Sequence, residues 1–287
     1  MEIIRDVKMM QRTGRSFGMK DKSVGLVPTM GALHEGHLSL IRRCKEDNEI
    51  TVVSIFVNPA QFGPSEDFNG YPRDPESDMM KLEDLGVDLL FFPEKGNIYP
   101  DGFSTHIIVE GLSDRLCGLY REGHFRGVAT VVAKLFNIVN PDRAYFGQKD
   151  YQQVLIIKRL VRDLNFDLEI IVCPTVREED GLAMSSRNLY LSEQERAASA
   201  VIYRTLIEAG EMIRSGSPVS EVGRFMEVQL KGAPMIREIQ YASVYDPETL
   251  EDISMTDVNI YVRKRFLLAL SVFIGKTRLI DNILVES

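Results

Sequence analysis

At 287 residues the chain is longer than a usual single domain, so a large domain followed by a smaller one is expected. A hydrophobic fraction of 44% with 26% charged residues is that of an ordinary globular protein, and no apolar run approaches the roughly 20 residues that cross a bilayer. A net charge of −8 excludes the basic surface that nucleic-acid binding needs, but a small anionic substrate stays compatible with it, because a few cations in a cleft outweigh a diffuse negative surface. The cysteines, Cys44, Cys117 and Cys173, are far apart and lack CxxC spacing, which reads as reduced thiols. With no signal-peptide core near Met1, a cytoplasmic location is expected.

Residues 3–17 have the pattern of a short amphipathic helix. The apolar run 24–27 reads as a buried strand, followed by a helix over 37–47 and a β-branched run at 50–57 that is too continuous for a half-exposed strand. Strand, helix, buried strand is a βαβ unit with a parallel sheet. A loop at 58–64 follows, then a helix over 75–85 with Pro75 in its first turn, a strand at 87–92, a Gly- and Pro-rich loop at 93–103 and a candidate short strand at 105–109. Residues 111–127 alternate glycines with Arg115, Arg121, His124 and Arg126, which fits either a mobile cationic loop over a cleft or a plain surface loop. A buried helix spans 128–139. Residues 144–146 form a short strand, 151–164 a helix, and 168–172 a last parallel strand. Beyond Pro174 the composition changes. A polar loop covers 182–188, a helix capped near Ser192 runs to about Gly216, and another runs from 218 to about 230. Two β-rich runs follow, at 238–245 and 258–274. The expectation is an α/β protein with a doubly wound, Rossmann-like parallel sheet in residues 1–175 and a smaller α+β domain in residues 176–287.

Three stretches carry chemistry. The sequence PTMGALHEGH at 28–37 turns a strand into a helix through glycines, and two of the four histidines, His34 and His37, lie in it. Such a turn aims backbone N–H groups and a helix N-terminus at an anion, and both imidazoles could face one phosphate; a glycine-rich turn with incidental histidines is the plainer alternative. FGQKDYQQ at 146–153 is again a strand-to-helix turn. There Gly147 leaves room for a ribose or base, Lys149 supplies a point charge, and Asp150 can accept from ribose hydroxyls. Gln153, one helical turn on, can point into the same crevice. The loop MSSRN at 184–188 sets two hydroxyls beside a guanidinium, a compact group of phosphate donors.

In this order and spacing, PTMGALHEGH, FVNPAQF at 56–62, YPRD at 71–74, FGQKDYQQ and VREEDGLAMSSRN at 176–188 resemble the pantothenate synthetase family of HxGH nucleotidylyltransferases. The resemblance implies an ATP-dependent ligase that joins pantoate to β-alanine through a pantoyl adenylate and releases AMP and pyrophosphate. It implies that Met30, Gly31, Ala32, Leu33, His34, Glu35, Gly36 and His37 hold ATP together with Gly147, Gln148, Lys149, Asp150, Val176, Met184, Ser185, Ser186 and Arg187. It further implies His37, His34 and Lys149 as the catalytic groups, Gln61 and Gln153 on pantoate, and Gln61 on β-alanine. Mg2+ is implied with ATP, its ligands unassigned, as are a homodimer and a second domain that closes over the site. The sequence departs from the family at Ser77-Asp78, where relatives often have paired aspartates, and at Gly70, where an acidic residue is commoner. Other readings are a pantetheine-phosphate adenylyltransferase, a class I tRNA-ligase fragment and a nucleotide-binding regulatory module. The length and the Gln61 pattern disfavour the first, the acidic charge the second, and the full set of histidines, Lys149 and Arg187 the third.

Overall fold

Asp6 divides the first predicted helix. Its side chain accepts the Met9 N–H at 2.8 Å, so helix α1 (Val7–Gly18) begins after it and Glu2–Ile4 become a strand, β1. The structure is a computed structural model that describes residues 1–64, 66–255 and 264–287. It contains two units. The first comprises Met1–Ser113, Arg121–Gln148 and Gln153–Pro174, and the second Asp114–Tyr120, Lys149–Gln152 and Thr175–Ser287.

The chain continues through β2 (Val24–Thr29), α2 (Glu35–Asp47), β3 (Ile50–Ile55), α3 (Pro75–Asp84), β4 (Leu89–Phe91) and the short α4 (Lys95–Ile98). It then runs through α5 (Cys117–Tyr120), α6 (His124–Val139), β5 (Arg143–Gly147), α7 (Tyr151–Asp163) and β6 (Glu169–Cys173). All six strands belong to one parallel sheet of order β1-β4-β3-β2-β5-β6. From β2 the chain first steps outward to β3 and β4, then returns to the other side of β2 with β5 and β6. The strand order therefore reverses between β2 and β5, which is where an open parallel sheet forms a ligand crevice. The ladder shows that opening directly. The β2–β3 pairing runs up to Thr29–Ile55 and the β5–β6 pairing up to Gly147–Cys173, but β2 and β5 pair only at Gly25–Arg143 and Leu26–Ala144.

Val27, Ile41, Val53, Leu82, Leu90 and Tyr145 form one fully buried core on this sheet. Helix α6 is buried nearly all round, as its composition predicts, but starts at His124 rather than at 128. Two glycines permit close approaches. A Cβ on Gly25 would meet the Cys44 sulfur at 2.3 Å, and one on Gly14 would meet the Val139 carbonyl oxygen at 2.2 Å. Residues 105–109 join no strand; the Ile107 N–H is satisfied instead by the Thr130 hydroxyl at 3.0 Å.

In the second unit α8 (Glu193–Ala198), α9 (Val201–Arg214) and α10 (Val219–Lys231) accompany an antiparallel sheet of β7 (Ile236–Tyr245), β8 (Arg265–Ile274) and β9 (Thr277–Glu286). Ser192 and Glu195 form a reciprocal capping box at the start of α8. The single helix predicted to Gly216 is broken at Ser199, whose hydroxyl donates to the Arg196 carbonyl at 2.6 Å. Leu206, Val222, Met226, Phe266 and Leu268 make the core of this unit. Strand β9 lies beyond the predicted β runs. It pairs with β8 across a turn in which Gly275, at φ 55°, supplies the positive φ that a two-residue hairpin needs. Of the predicted run 258–274, residues 258–263 lie outside the described residues.

Replacing Gly14 by Ala should destabilise the protein by about 1–3 kcal/mol, because the methyl group drives α1 off the end of α6. Gly18→Ala, in open space on the same helix, should change stability by less than about 0.5 kcal/mol. Equilibrium unfolding in denaturant of the two variants beside the parent checks the contrast.

Candidate active site

The turn after β2 is built by a buried carboxylate. Gly31 (φ 81°) and Ala32 (φ 50°) both take left-handed conformations, which points the next two amides the same way. Those amides meet Asp78 on α3: the Ala32 N–H donates to Oδ2 at 2.9 Å and the Leu33 N–H to Oδ1 at 2.7 Å. Lys81, one turn along α3, donates to the Leu33 carbonyl at 2.7 Å. Burial pushes the Asp78 carboxyl above its ordinary range, against the pull of the two amides and Lys81. Asp78 lies in the acidic first turn of α3, and the structure buries it to 2% exposure as the clamp of the turn. Consequently the Ala32 and Leu33 amides already hold an internal anion, and the Leu33 side chain belongs to the core. Glu35 is exposed and ion-paired to Arg42.

The rest of the turn is held by the histidine pair. His34 is the N-cap of α2, and its Nδ1 accepts the Gly36 N–H at 3.2 Å. The His34 N–H donates in turn to Nδ1 of His37 at 3.4 Å, a reciprocal capping box made of two imidazoles whose ring centroids are 4.1 Å apart. Since a backbone N–H can only donate, both Nδ1 atoms are acceptors, and each neutral ring carries its proton on Nε2.

Gln61 stands beside this turn, at the end of a 3₁₀ turn (Pro59–Gln61) that follows β3. Its amide is fixed at both ends: Oε1 accepts from Asn58 Nδ2 at 3.0 Å, and Nε2 lies 3.1 Å from the Met30 sulfur. Asn58 is buried and itself held. Its Nδ2 also donates to the Gly127 carbonyl at 3.1 Å, and its Oδ1 accepts from Tyr99 OH at 2.9 Å and from the Ala60 N–H at 3.2 Å. Desolvation pushes the Tyr99 hydroxyl up to about 12, so it stays a donor. On the strand across the opening, Gly147 ends β5, and a Cβ there would meet nothing within 4 Å. Gln148 and Gln153 are half-buried at the following turn and in the first turn of α7.

The remaining candidates belong to the second unit. Lys149 and Asp150 are half-buried in a 3₁₀ turn, and the Lys149 carbonyl accepts from Asn282 Nδ2 of β9 at 2.8 Å. Residues 176–184 fold back on themselves: the Val176 carbonyl accepts from the Met184 N–H at 3.0 Å, Arg177 bridges Ala183, and Gly181 turns the chain at φ 91°. Arg177 fixes this hairpin by a two-point ion pair with the fully buried Asp281 and by stacking on Tyr203 at 3.8 Å. Desolvation drives Asp281 up, opposed by Arg177 and by the charge of Lys149. Ser185 then caps the turn Ser186–Tyr190 by accepting the Arg187 N–H at 3.3 Å, with Ser186 buried.

Several of these supports have no strong sequence signal. The segment 111–127 carries structure of its own. Arg115 pairs with Glu251, residues Cys117–Tyr120 are helical, Arg121 pairs with Glu66, and His124 is buried. Arg126 is exposed on the surface of α6. Gln152, adjacent to the predicted Gln153, is buried and holds the Cys117 N–H and the Arg115 carbonyl. Asn58 directly before a Pro, and the polar pair Asp281-Asn282 inside an apolar strand, are the available clues. Among the described residues, no group of three or more His, Cys, Asp and Glu side chains could hold a metal ion.

Known proteins resemble the chain over its whole length. The family model described as pantoate-beta-alanine ligase matches residues 2–284. A pantothenate synthetase of Thermodesulfovibrio yellowstonii is 59% identical over 286 residues, covering 100% of both chains, and one of Caldicellulosiruptor bescii is 51% identical over 288 residues with the same coverage. Among solved structures, the pantothenate synthetase of Thermus thermophilus superposes with a TM-score of 0.91 at 45% identity over 99% of each chain. The pantoate-beta-alanine ligase of Francisella tularensis, solved with beta-gamma ATP and beta-alanine, gives 0.78 at 38% identity over 99% of this chain and 97% of that one. A match of this length and identity shows that the chain belongs to the pantoate-beta-alanine ligase family.

Proposed function

We propose that the chain condenses (R)-pantoate with β-alanine at the expense of ATP, giving pantothenate, AMP and pyrophosphate through a pantoyl adenylate. The observation that carries this reading is the turn after β2, where two imidazoles locked as Nε2–H donors stand beside a Gln61 amide fixed by Asn58 and Met30. Adenylation needs little covalent help from a protein. It needs a carboxylate and a triphosphate held in line and the charge that grows on the α-phosphoryl oxygens offset.

In this reading a pantoate carboxylate oxygen attacks the α-phosphorus and the bond to pyrophosphate breaks. The β-alanine nitrogen then attacks the acyl carbon, loses a proton and displaces AMP. His34 and His37 donate from Nε2 to phosphate oxygens, which makes them charge-stabilising donors rather than acids that must give up a proton. Met30 to His37 would line the triphosphate, although the Ala32 and Leu33 amides are engaged by Asp78 and contribute through the shape of the turn. Lys149 supplies the positive charge between phosphate and carboxylate, Gly147, Gln148 and Asp150 take the ribose, Val176 and Met184 flank adenine, and Ser185, Ser186 and Arg187 clamp the departing phosphates. Gln61 and Gln153 read pantoate, whose geminal methyls suit the apolar walls of Pro28, Met30 and Phe62; Gln61 also meets β-alanine. A glutamine amide donates and accepts at once and so binds a carboxylate or hydroxyl without adding charge.

Mg2+ would accompany the triphosphate, as it usually does. Asp78 does not fit as its ligand, because both oxygens accept from backbone amides, and none of the roles given to the chain's own residues runs through the ion. No helix among the described residues is long and apolar enough to cross a membrane, and a cytoplasmic homodimer completes the proposal.

The direct test is the substrate dependence of the two half-reactions. Exchange of labelled pyrophosphate into ATP should need pantoate alone, and net AMP release should need pantoate and β-alanine together; AMP release indifferent to either acid or amine would defeat the assignment. Gln61→Ala should raise the pantoate KM by about tenfold or more with the ATP KM nearly unchanged, as read from steady-state kinetics with each substrate varied. Asp78→Asn keeps the shape of the clamp but swaps an acceptor for a donor that faces the Leu33 or Ala32 N–H. It should lower kcat/KM for ATP about tenfold or more, with a smaller effect on pantoate, and a variant with unaltered ATP kinetics would remove Asp78 from the construction of the turn.

A further inference from the structure

We infer that His124 is a positioning residue for pantoate, acting through Gln61; the inference rests on the reading of Gln61 given above. His124 opens α6 and is buried to 8% exposure. Its Nδ1 lies 2.8 Å from the Gln61 carbonyl oxygen, and its Nε2 lies 2.9 Å from Nη1 of Arg121. A carbonyl oxygen can only accept and a guanidinium can only donate, so the two contacts fix one tautomer. Nδ1 carries the proton toward Gln61, and Nε2 accepts from Arg121. Arg121 is itself set by a two-point pair with Glu66, at 2.7 Å from both Nε and Nη2. Burial raises the Glu66 carboxyl, yet Arg121 outweighs it and the group sits below its ordinary range, which keeps the pair ionised.

The chain Glu66–Arg121–His124 therefore ends on the backbone of Gln61, while Asn58 and Met30 hold its side chain. The approach is tight by construction. A Cβ on Gly127 would meet the Ala60 carbonyl oxygen at 2.2 Å and the Gln61 nitrogen at 2.6 Å, so only glycine lets the first turn of α6 press against the 3₁₀ turn. The Gly127 carbonyl, in the same turn, takes the second hydrogen of Asn58 Nδ2 at 3.1 Å. His124 and Asn58 thus grip the turn from its backbone and its side-chain side, and a Gln61 fixed in this way meets pantoate without first losing conformational freedom.

Steady-state kinetics of the full chain test this with His124→Ala, His124→Asn, Gln61→Ala and the His124→Ala/Gln61→Ala double variant. His124→Ala should raise the pantoate KM about tenfold with the ATP KM within about twofold. His124→Asn, whose Nδ2 can donate from near the place of Nδ1, should recover most of that loss. The double variant should be no worse than Gln61→Ala alone within about twofold, since residues that act as a unit are not additive. Equal rises in both KM values, no rescue by Asn, or defects that multiply in the double variant would each overturn the inference. If His124→Ala does not accumulate as folded protein, Arg121→Ala carries the same test, and a pantoate KM unmoved by it overturns the inference too. An effect of Gln61→Ala with a silent His124→Ala defeats only the positioning role. A Gln61→Ala variant with unchanged pantoate kinetics defeats the reading beneath it.

Discussion

The ladder between β2 and β5 stops at Leu26–Ala144, and much of the first unit answers to that interruption. Past it, two strand ends have no shared hydrogen bonds, and the chain that leaves them must find other partners. The turn after β2 uses the Asp78 carboxylate for two amides and the His34–His37 pair for two more. The turn after β3 uses the Asn58 side chain and the His124 ring. At the strand-order reversal, side chains thus do what a ladder does elsewhere, which also fixes their rotamers.

Much of this is legible in the residues. Glycines at a strand-to-helix turn, a β-branched run at 50–57 and the apolar periodicity of 128–139 lead directly to β2, β3 and α6, and the order of motifs leads to the family. What escapes is the set of contacts between residues distant in sequence. Asp78 looks like any acidic residue in a first helical turn until the fold brings Ala32 and Leu33 against it, 45 or more positions away. The segment around Arg121 and His124 reads as a loop because its glycines and charges have no period. Its order comes from Glu66 and from the carbonyl of Gln61. At Glu2–Ile4 the difference is local: Asp6 is a good N-cap, and its capping frees the three residues of an edge strand before it.

The second unit shows the same economy with a different core. Arg177 joins the hairpin 176–184 to β9 by a buried two-point ion pair and covers Tyr203 with the same guanidinium. Such a pair is costly to desolvate, and losing either partner would leave the other charge buried and unpaired. The hairpin carries Val176 and Met184, and Asn282 beside Asp281 takes the carbonyl of Lys149. One strand position and its neighbour therefore set two segments on which the nucleotide reading depends.

That placement gives β9 a temporal meaning. Proteins are made from the N-terminus, and domains generally fold as units while the chain emerges. The six-stranded sheet, with its histidine pair and its Gln61, is complete in sequence by Cys173. The partners of Lys149 and Arg177 lie at Asp281 and Asn282, more than a hundred residues later. A nascent chain would then complete the hydrogen bonds of its histidine turn well before the segments around Lys149 and Arg177 could meet the partners that fix them.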